Sequence, residues 1–137
     1  YQYYEGGWDA LPDFTKLKSV SNSIANQISF DVVTKQADAF GMVFTGYIDV
    51  PKDGVYTFGL KSNDGSKLFI DGDELINNDG NHKSTMRAGM AAFKAGKHSI
   101  KVLYFQMGGG KDLELTCSGP DMPEQPVPAG MLWHKKN

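Results

Sequence analysis

A single cysteine leaves no partner for an intrachain disulfide, so the fold rests on burial and hydrogen bonding rather than on covalent staples. Cys117 alternates with Leu113 and Leu115, which is the pattern of a small side chain turned into a core from a strand. No apolar run approaches the roughly 20 residues that a bilayer-spanning helix needs, and no basic-then-apolar leader opens the chain. Charge of one sign is lacking too. The 14 basic and 16 acidic residues are interspersed to a formal net of -2, which argues against a nucleic-acid footprint or a basic membrane-binding face. Nucleic acid and direct membrane insertion are therefore not among the expected partners. Tyr1 rather than Met stands first, and the expectation is a portion excised or processed from a larger protein.

Catalytic signatures are also missing. G-x-S-x-G, H-E-x-x-H and C-x-x-C do not occur. The run Gly108, Gly109, Gly110, Lys111 has the look of a phosphate loop, but Asp112 stands where the hydroxyl residue belongs and Phe105 where the first glycine belongs. His82, His98 and His134 are too widely spaced to read as a zinc set, and each is expected at a turn or on the surface. The carboxylates could include a glycosidase pair, yet surface solubility already accounts for most of them. The expectation is a chain that is not itself an enzyme.

What is present favours strands. Sixteen glycines and six prolines punctuate short alternating segments, as in an all-β domain, and 137 residues suit one domain spanning 1–137. Alternation predicts strands over 27–33, 40–50, 55–62, 67–70, 74–76, 89–93, 98–106 and 112–116. The 98–106 segment is apolar on both faces, the mark of a central strand. The turns at Pro51-Lys52-Asp53-Gly54 and Ala95-Gly96 predict two hairpins, one pairing 40–50 with 55–62 and one pairing 89–93 with 98–106. The segment 13–26 reads as loop with short strands, the polar stretch 77–87 as an exposed loop, and 120–128 as an extended exit.

Several of these segments carry a family resemblance. G-V-Y-T-F from Gly54, S-N-D-G-S-K-L-F-I-D-G from Ser62, N-D-G-N-H from Asn78 and A-G-K-H-S-I-K-V-L-Y from Ala95 together resemble the PA14 domain, the module named after anthrax protective antigen. The likeness runs from Y-Y-E-G-G-W at Tyr3 to L-W-H at Leu132. It implies an antiparallel β-sandwich or jelly-roll-like barrel with long loops at one end. It also implies a non-catalytic accessory module of a secreted, periplasmic or cell-surface glycan-active protein. The implied partners are a glycan and a neighbouring catalytic domain of the same chain. The alternative is a structural module that packs on a glycoside hydrolase domain without binding sugar itself.

Asn63 and Asp64 are the candidate metal ligands, because calcium takes hard oxygens from carboxylates, amide carbonyls and the main chain. Sugar-binding adhesins that resemble this family use two adjacent aspartates joined by a cis peptide, with an asparagine from a later loop, and a bound calcium there holds a sugar diol. Asp64 matches that pattern, whereas Asn63 replaces the first aspartate and brings an oxygen without charge. Asn78 and Asp79 are further ligand-binding candidates from the later loop, and Trp8 is a candidate stacking surface, with Tyr3, Tyr4 and Trp133 behind it. Beside this stands a simpler reading, in which Asn63, Asp64 and Gly65 only make a turn and the aromatics seal the ends of a sandwich. The ligand spacing of an EF-hand is not matched.

Overall fold

The computed structural model describes residues 1–135. Its strands are β1 (Gln2–Glu5), β2 (Ser21–Asn22), β3 (Phe40–Val50), β4 (Gly54–Asn63), β5 (Ser66–Ile70), β6 (Asp73–Asn78), β7 (Thr85–Phe93), β8 (Gly96–Gln106), β9 (Asp112–Gly119), β10 (Met122–Pro126) and β11 (Leu132–Trp133). They form two antiparallel sheets. The larger has the order β2-β1-β3-β8-β5-β6, with β11 also paired to β3, and the smaller runs β10-β9-β4-β7. The architecture is the all-β sandwich that the sequence implies. No helix among the described residues is long and apolar enough to cross a membrane.

Period-two alternation puts one face of each sheet into a shared core. Tyr56, Phe58 and Leu60 of β4 and Leu113, Leu115 and Cys117 of β9 meet Met42 and Ile48 of β3, Leu68 and Ile70 of β5, and Val102 and Tyr104 of β8. Cys117 is 1% exposed, and burial pushes its thiol pKa up. β8 lies between β3 and β5, as its two apolar faces predict. Gly89 of β7 allows the edges of the two sheets to close together, because a Cβ there would stand 2.5 Å from the Leu75 carbonyl oxygen of β6.

Two expectations are corrected. The segment 40–50 does not pair with 55–62, nor 89–93 with 98–106. β3 pairs β8, while β4 pairs β7 and β9, so both turns carry the chain from one sheet to the other. The inward residues on either side of each turn then face one another across the core instead of lying side by side. The two arches are tied together and to the core: Ala95 N donates to Asp53 Oδ1 at 2.7 Å, and the Tyr56 hydroxyl donates to Lys52 O at 2.7 Å. Hairpins do form at Asp71 and Gly72, joining β5 to β6, and at Pro120 and Asp121, joining β9 to β10, so part of the segment read as an extended exit is a paired strand.

The segment 27–33 is not a strand. It holds a 3-10 turn over Phe30–Val32, with Ser29 at its N-cap accepting from Asp31 N. It pairs with none of the described strands, and two of its carbonyls are met locally: Gln36 Nε2 donates to Phe30 O at 2.7 Å and Val33 O at 2.8 Å. Ile28, Phe30, Val32 and Val33 still pack on the core. The 77–87 stretch is shorter as a loop than expected, since β6 reaches Asn78 and β7 begins at Thr85. The residues before 18 include a second apolar cluster, in which Tyr4, Phe14, Trp8 and Leu11 cover Val43 and Leu103 on the outer face of the larger sheet.

His98 joins two turns at one end of the sandwich. Its Nδ1 lies 2.6 Å from Asp71 Oδ2 and its Nε2 2.7 Å from Lys94 O. Both partners are acceptors, so only the protonated ring donates to both. Its pKa is raised, chiefly by the Lys94 carbonyl, with Asp71 adding and partial burial opposing. A raised folded pKa gives stabilisation that is complete below the unfolded value, about 6.5, and is lost as pH rises through the folded value. The unfolding free energy from urea titrations followed by circular dichroism should therefore fall as pH passes upward from 6.5, by under about 1 kcal/mol because Asp71 is solvated. The His98→Gln variant should show a flatter profile. Leu68→Ala, at a position 0% exposed, should cost about 2–5 kcal/mol in urea unfolding.

Candidate functional site

β4 ends at Asn63, and Asp64 and Gly65 lead the chain across to β5. The Asn63-Asp64 peptide bond is cis. This crossing is stitched to β8: Asp64 N donates to Phe105 O at 3.1 Å, Phe105 N donates to Gly65 O at 3.0 Å, and the Tyr104 hydroxyl donates to Asn63 O at 2.7 Å. Tyr104 is held neutral by a raised pKa, due first to burial and then to the nearby charges of Asp64 and Asp112, so it remains a donor. Gly65 is required by close approach. A Cβ there would lie 2.5 Å from the Phe105 ring and 2.7 Å from Gly80 N.

Asp64 is only 4% exposed. A carboxylate removed from water needs donors or a cation. Its Oδ2 accepts from Met107 N at 2.8 Å. Its Oδ1 faces the carboxamide of Asn63, one terminal atom of which lies 3.3 Å from Asp64 Oδ1, 3.3 Å from Gly110 O and 3.2 Å from His82 O. With the amide nitrogen turned to this side, Asn63 donates to the three oxygens. With the amide oxygen there, four oxygens converge without a proton between them, and a cation is what relieves such an arrangement. Calcium accepts this donor set, with ligand distances of about 2.3–2.6 Å and water completing its shell. Asp64 is the one carboxylate in the set, and the described residues hold no group of three or more His, Cys, Asp or Glu side chains placed to bind a metal.

The other candidates from sequence lie close by, but much of their polarity is engaged. Asn78 is 2% exposed, and its Nδ2 donates to Thr85 O at 2.8 Å and Leu60 O at 3.1 Å, tying β6 to β7 and β4. The main-chain carbonyl of Asn78 faces His82 Nε2 at 2.8 Å, which shapes the loop that delivers His82 O. Asp79 Oδ1 accepts from Gly80 N at 2.7 Å and Leu11 N at 2.8 Å, drawing the early segment onto this end. Trp8 packs edge-on against Phe14, and its backbone N–H points at Met107 Sδ, 2.9 Å away. Tyr3 and Tyr4 are core residues at 2% and 4% exposure. Trp133 sits elsewhere, opposite Tyr47 of β3.

Two members of the oxygen cluster, His82 O and Gly110 O, are main-chain atoms and carry no side-chain signature. The signals near them were the polar loop after Asn78 and the triglycine, whose backbone passes close enough that a Cβ on Gly110 would lie 3.3 Å from Asn63 Nδ2.

The PA14 domain family model matches residues 11–129. Among solved structures, an anti-sigma factor domain-containing protein superposes with a TM-score of 0.82 at 26% identity, covering 98% of this chain and 46% of that one. A PA14 sugar-binding domain from an RTX adhesin gives a TM-score of 0.65 at 19% identity, covering 74% of this chain and 58% of its own. A β-glucosidase from Kluyveromyces marxianus gives 0.64 at 16% identity, covering 85% of this chain and 16% of its own. The chain thus spans about half the length of the first of these relatives. No match is found among curated proteins.

The packing around Gly65 sets a direct check. Gly65→Ala should destabilise the fold by about 1–3 kcal/mol, read from the urea midpoint, because the new methyl meets Phe105 and the Gly80 backbone.

Proposed function

This chain belongs to the PA14 domain family, and from that premise we propose that it is a non-catalytic carbohydrate-binding module of a secreted, periplasmic or cell-surface glycan-active protein. The observation that carries this reading is that one terminal atom of the Asn63 carboxamide lies within 3.2–3.3 Å of Asp64 Oδ1, Gly110 O and His82 O. Asn63 Oδ1, Asp64 Oδ1 and the two main-chain carbonyls would hold a calcium ion, and an ion bound there offers coordination positions to the neighbouring hydroxyls of a sugar ring. The chain's own work is positional: Met107 N and Tyr104 fix Asp64 and the Asn63 carbonyl before any ligand arrives. The similarity to the sugar-binding PA14 domain of an RTX adhesin supports the same class of ligand.

A second reading has its own observation. Turned the other way, the Asn63 amide shares its two N–H groups among the three oxygens, which suits a module that packs on a glycoside hydrolase domain and binds no ion. The β-glucosidase relative supports that setting.

Calorimetric titration of metal-stripped protein separates the two. Calcium should bind with a Kd on the order of 10⁻⁴–10⁻³ M, the weak end of the range, because a single carboxylate neutralises it. Asp64→Ala should abolish the heat and Asn63→Asp should tighten binding. A glycan array should show signals that vanish in chelator. No heat and no glycan signal from folded protein would assign the chain to the structural reading.

A further inference from the structure

We infer that the outer face of the larger sheet carries a second, metal-independent subsite for an acidic saccharide unit. This goes beyond the calcium-dependent reading and uses none of its residues. Thr45, Lys101 and Phe69 lie side by side in register across β3, β8 and β5, and Tyr47 and Ser99 form the next row. Their chain neighbours Ile100 and Val102 are buried in the core, so by alternation this row faces outward. Lys101 is four residues from Phe105, about 13 Å along the strand from the crossing that bears Asp64.

A depression of about 620 Å³ opens there, lined by Tyr47, Phe69, Thr45, Ser99, Lys101 and Lys135. A smaller pocket of about 100 Å³ shares Tyr47 with it and adds Trp133. Tyr47 is 37% and Trp133 50% exposed, large rings left in water beside one another in register. Such rings take the apolar C–H face of a sugar, while the Thr45 and Ser99 hydroxyls suit its hydroxyl groups.

Charge selects the kind of sugar. No acidic residue is among the described residues lining the depression, which include Lys101 and Lys135. Of the acids around it in register, Asp49 stands opposite Lys97 one row beyond Tyr47 and Ser99, Asp71 pairs with His98 at 2.6 Å and Glu74 with Lys67 at 3.1 Å. The Lys101 ammonium lies 5.0 Å above the Phe69 ring, and Lys97 lies 3.9 Å above Trp133 at the rim. A neutral sugar leaves the Lys101 charge without a counterion, whereas a uronate carboxylate pairs with it over an aromatic floor. The ligand class is therefore a hexuronate-containing oligosaccharide.

The test is a titration of the whole chain with oligogalacturonate in chelator at near-physiological salt, followed by NMR and calorimetry, with maltohexaose as the neutral comparison. The expected result is binding at least tenfold tighter for the acidic oligosaccharide, with shifts mapping to β3 and β8. Tyr47→Ala and Lys101→Gln should each weaken it about tenfold, an effect of the size expected for a stacking or ion-pair contact. Lys61→Gln, which removes the same charge from the other sheet, should not. Absence of binding, equal binding of both sugars, or equal losses from the Lys61 and Lys101 variants would overturn the proposal. Because the experiment excludes free metal, its failure leaves the calcium-dependent reading standing, and failure of that reading leaves this one standing.

Discussion

Two inward rows of side chains, Tyr56, Phe58 and Leu60 from one sheet and Leu68, Val102 and Tyr104 from the other, have to share a single dry layer. Their burial is the dominant favourable term in a chain without disulfides. It also dictates the connections. A chain whose successive strands both point large residues inward can lay them side by side in one sheet or face to face in two. Here β3 to β4, β4 to β5 and β7 to β8 all take the second course. Each crossing exposes main-chain groups at an end of the layer, and those groups need partners.

The candidate site is one of these ends. Phe105 closes the backbone of Asp64 and Gly65, and Tyr104, the last large residue of the core row, reaches out of the layer to hold the Asn63 carbonyl. What remains unspent is the far side of Asp64 and the carboxamide of Asn63, gathered with two carbonyls from the 79–84 and 107–111 loops. Charge decides how such a cluster behaves. One carboxylate and neutral oxygens attract a divalent ion only weakly, and an amide that can rotate competes with it by offering its own N–H groups. Asn63, whose carboxamide presents either an uncharged oxygen or N–H groups to the cluster, is thus the residue on which the choice between a metal site and a self-satisfied turn depends.

Much of this was legible beforehand. The alternation identified the core faces of β3, β4, β8 and β9, the central place of β8 and the buried Cys117, because period two follows from backbone geometry alone. Asn63 and Asp64 stood out as adjacent oxygen donors at a turn. Asn78 was legible as polar but not as buried. Its amide is spent on Leu60 O and Thr85 O, carbonyls belonging to strands that are 18 and 7 residues away in sequence. The segment 27–33 alternates as a strand does, yet a strand also needs an edge to pair with, and that is a property of the assembled sheet.

The sequence by itself determined the class of fold, which residues point inward, and which side chains can offer oxygen to a ligand, since these depend on local backbone period and on side-chain chemistry. Tertiary structure alone decided which strands pair, that the turns at 51–53 and 94–95 are arches between sheets, and that His82 O and Gly110 O join Asn63 and Asp64. The physical reason is that a turn residue sets where the chain reverses but not which edge it meets afterwards. A main-chain carbonyl, identical at every residue, becomes a ligand only by where the fold carries it.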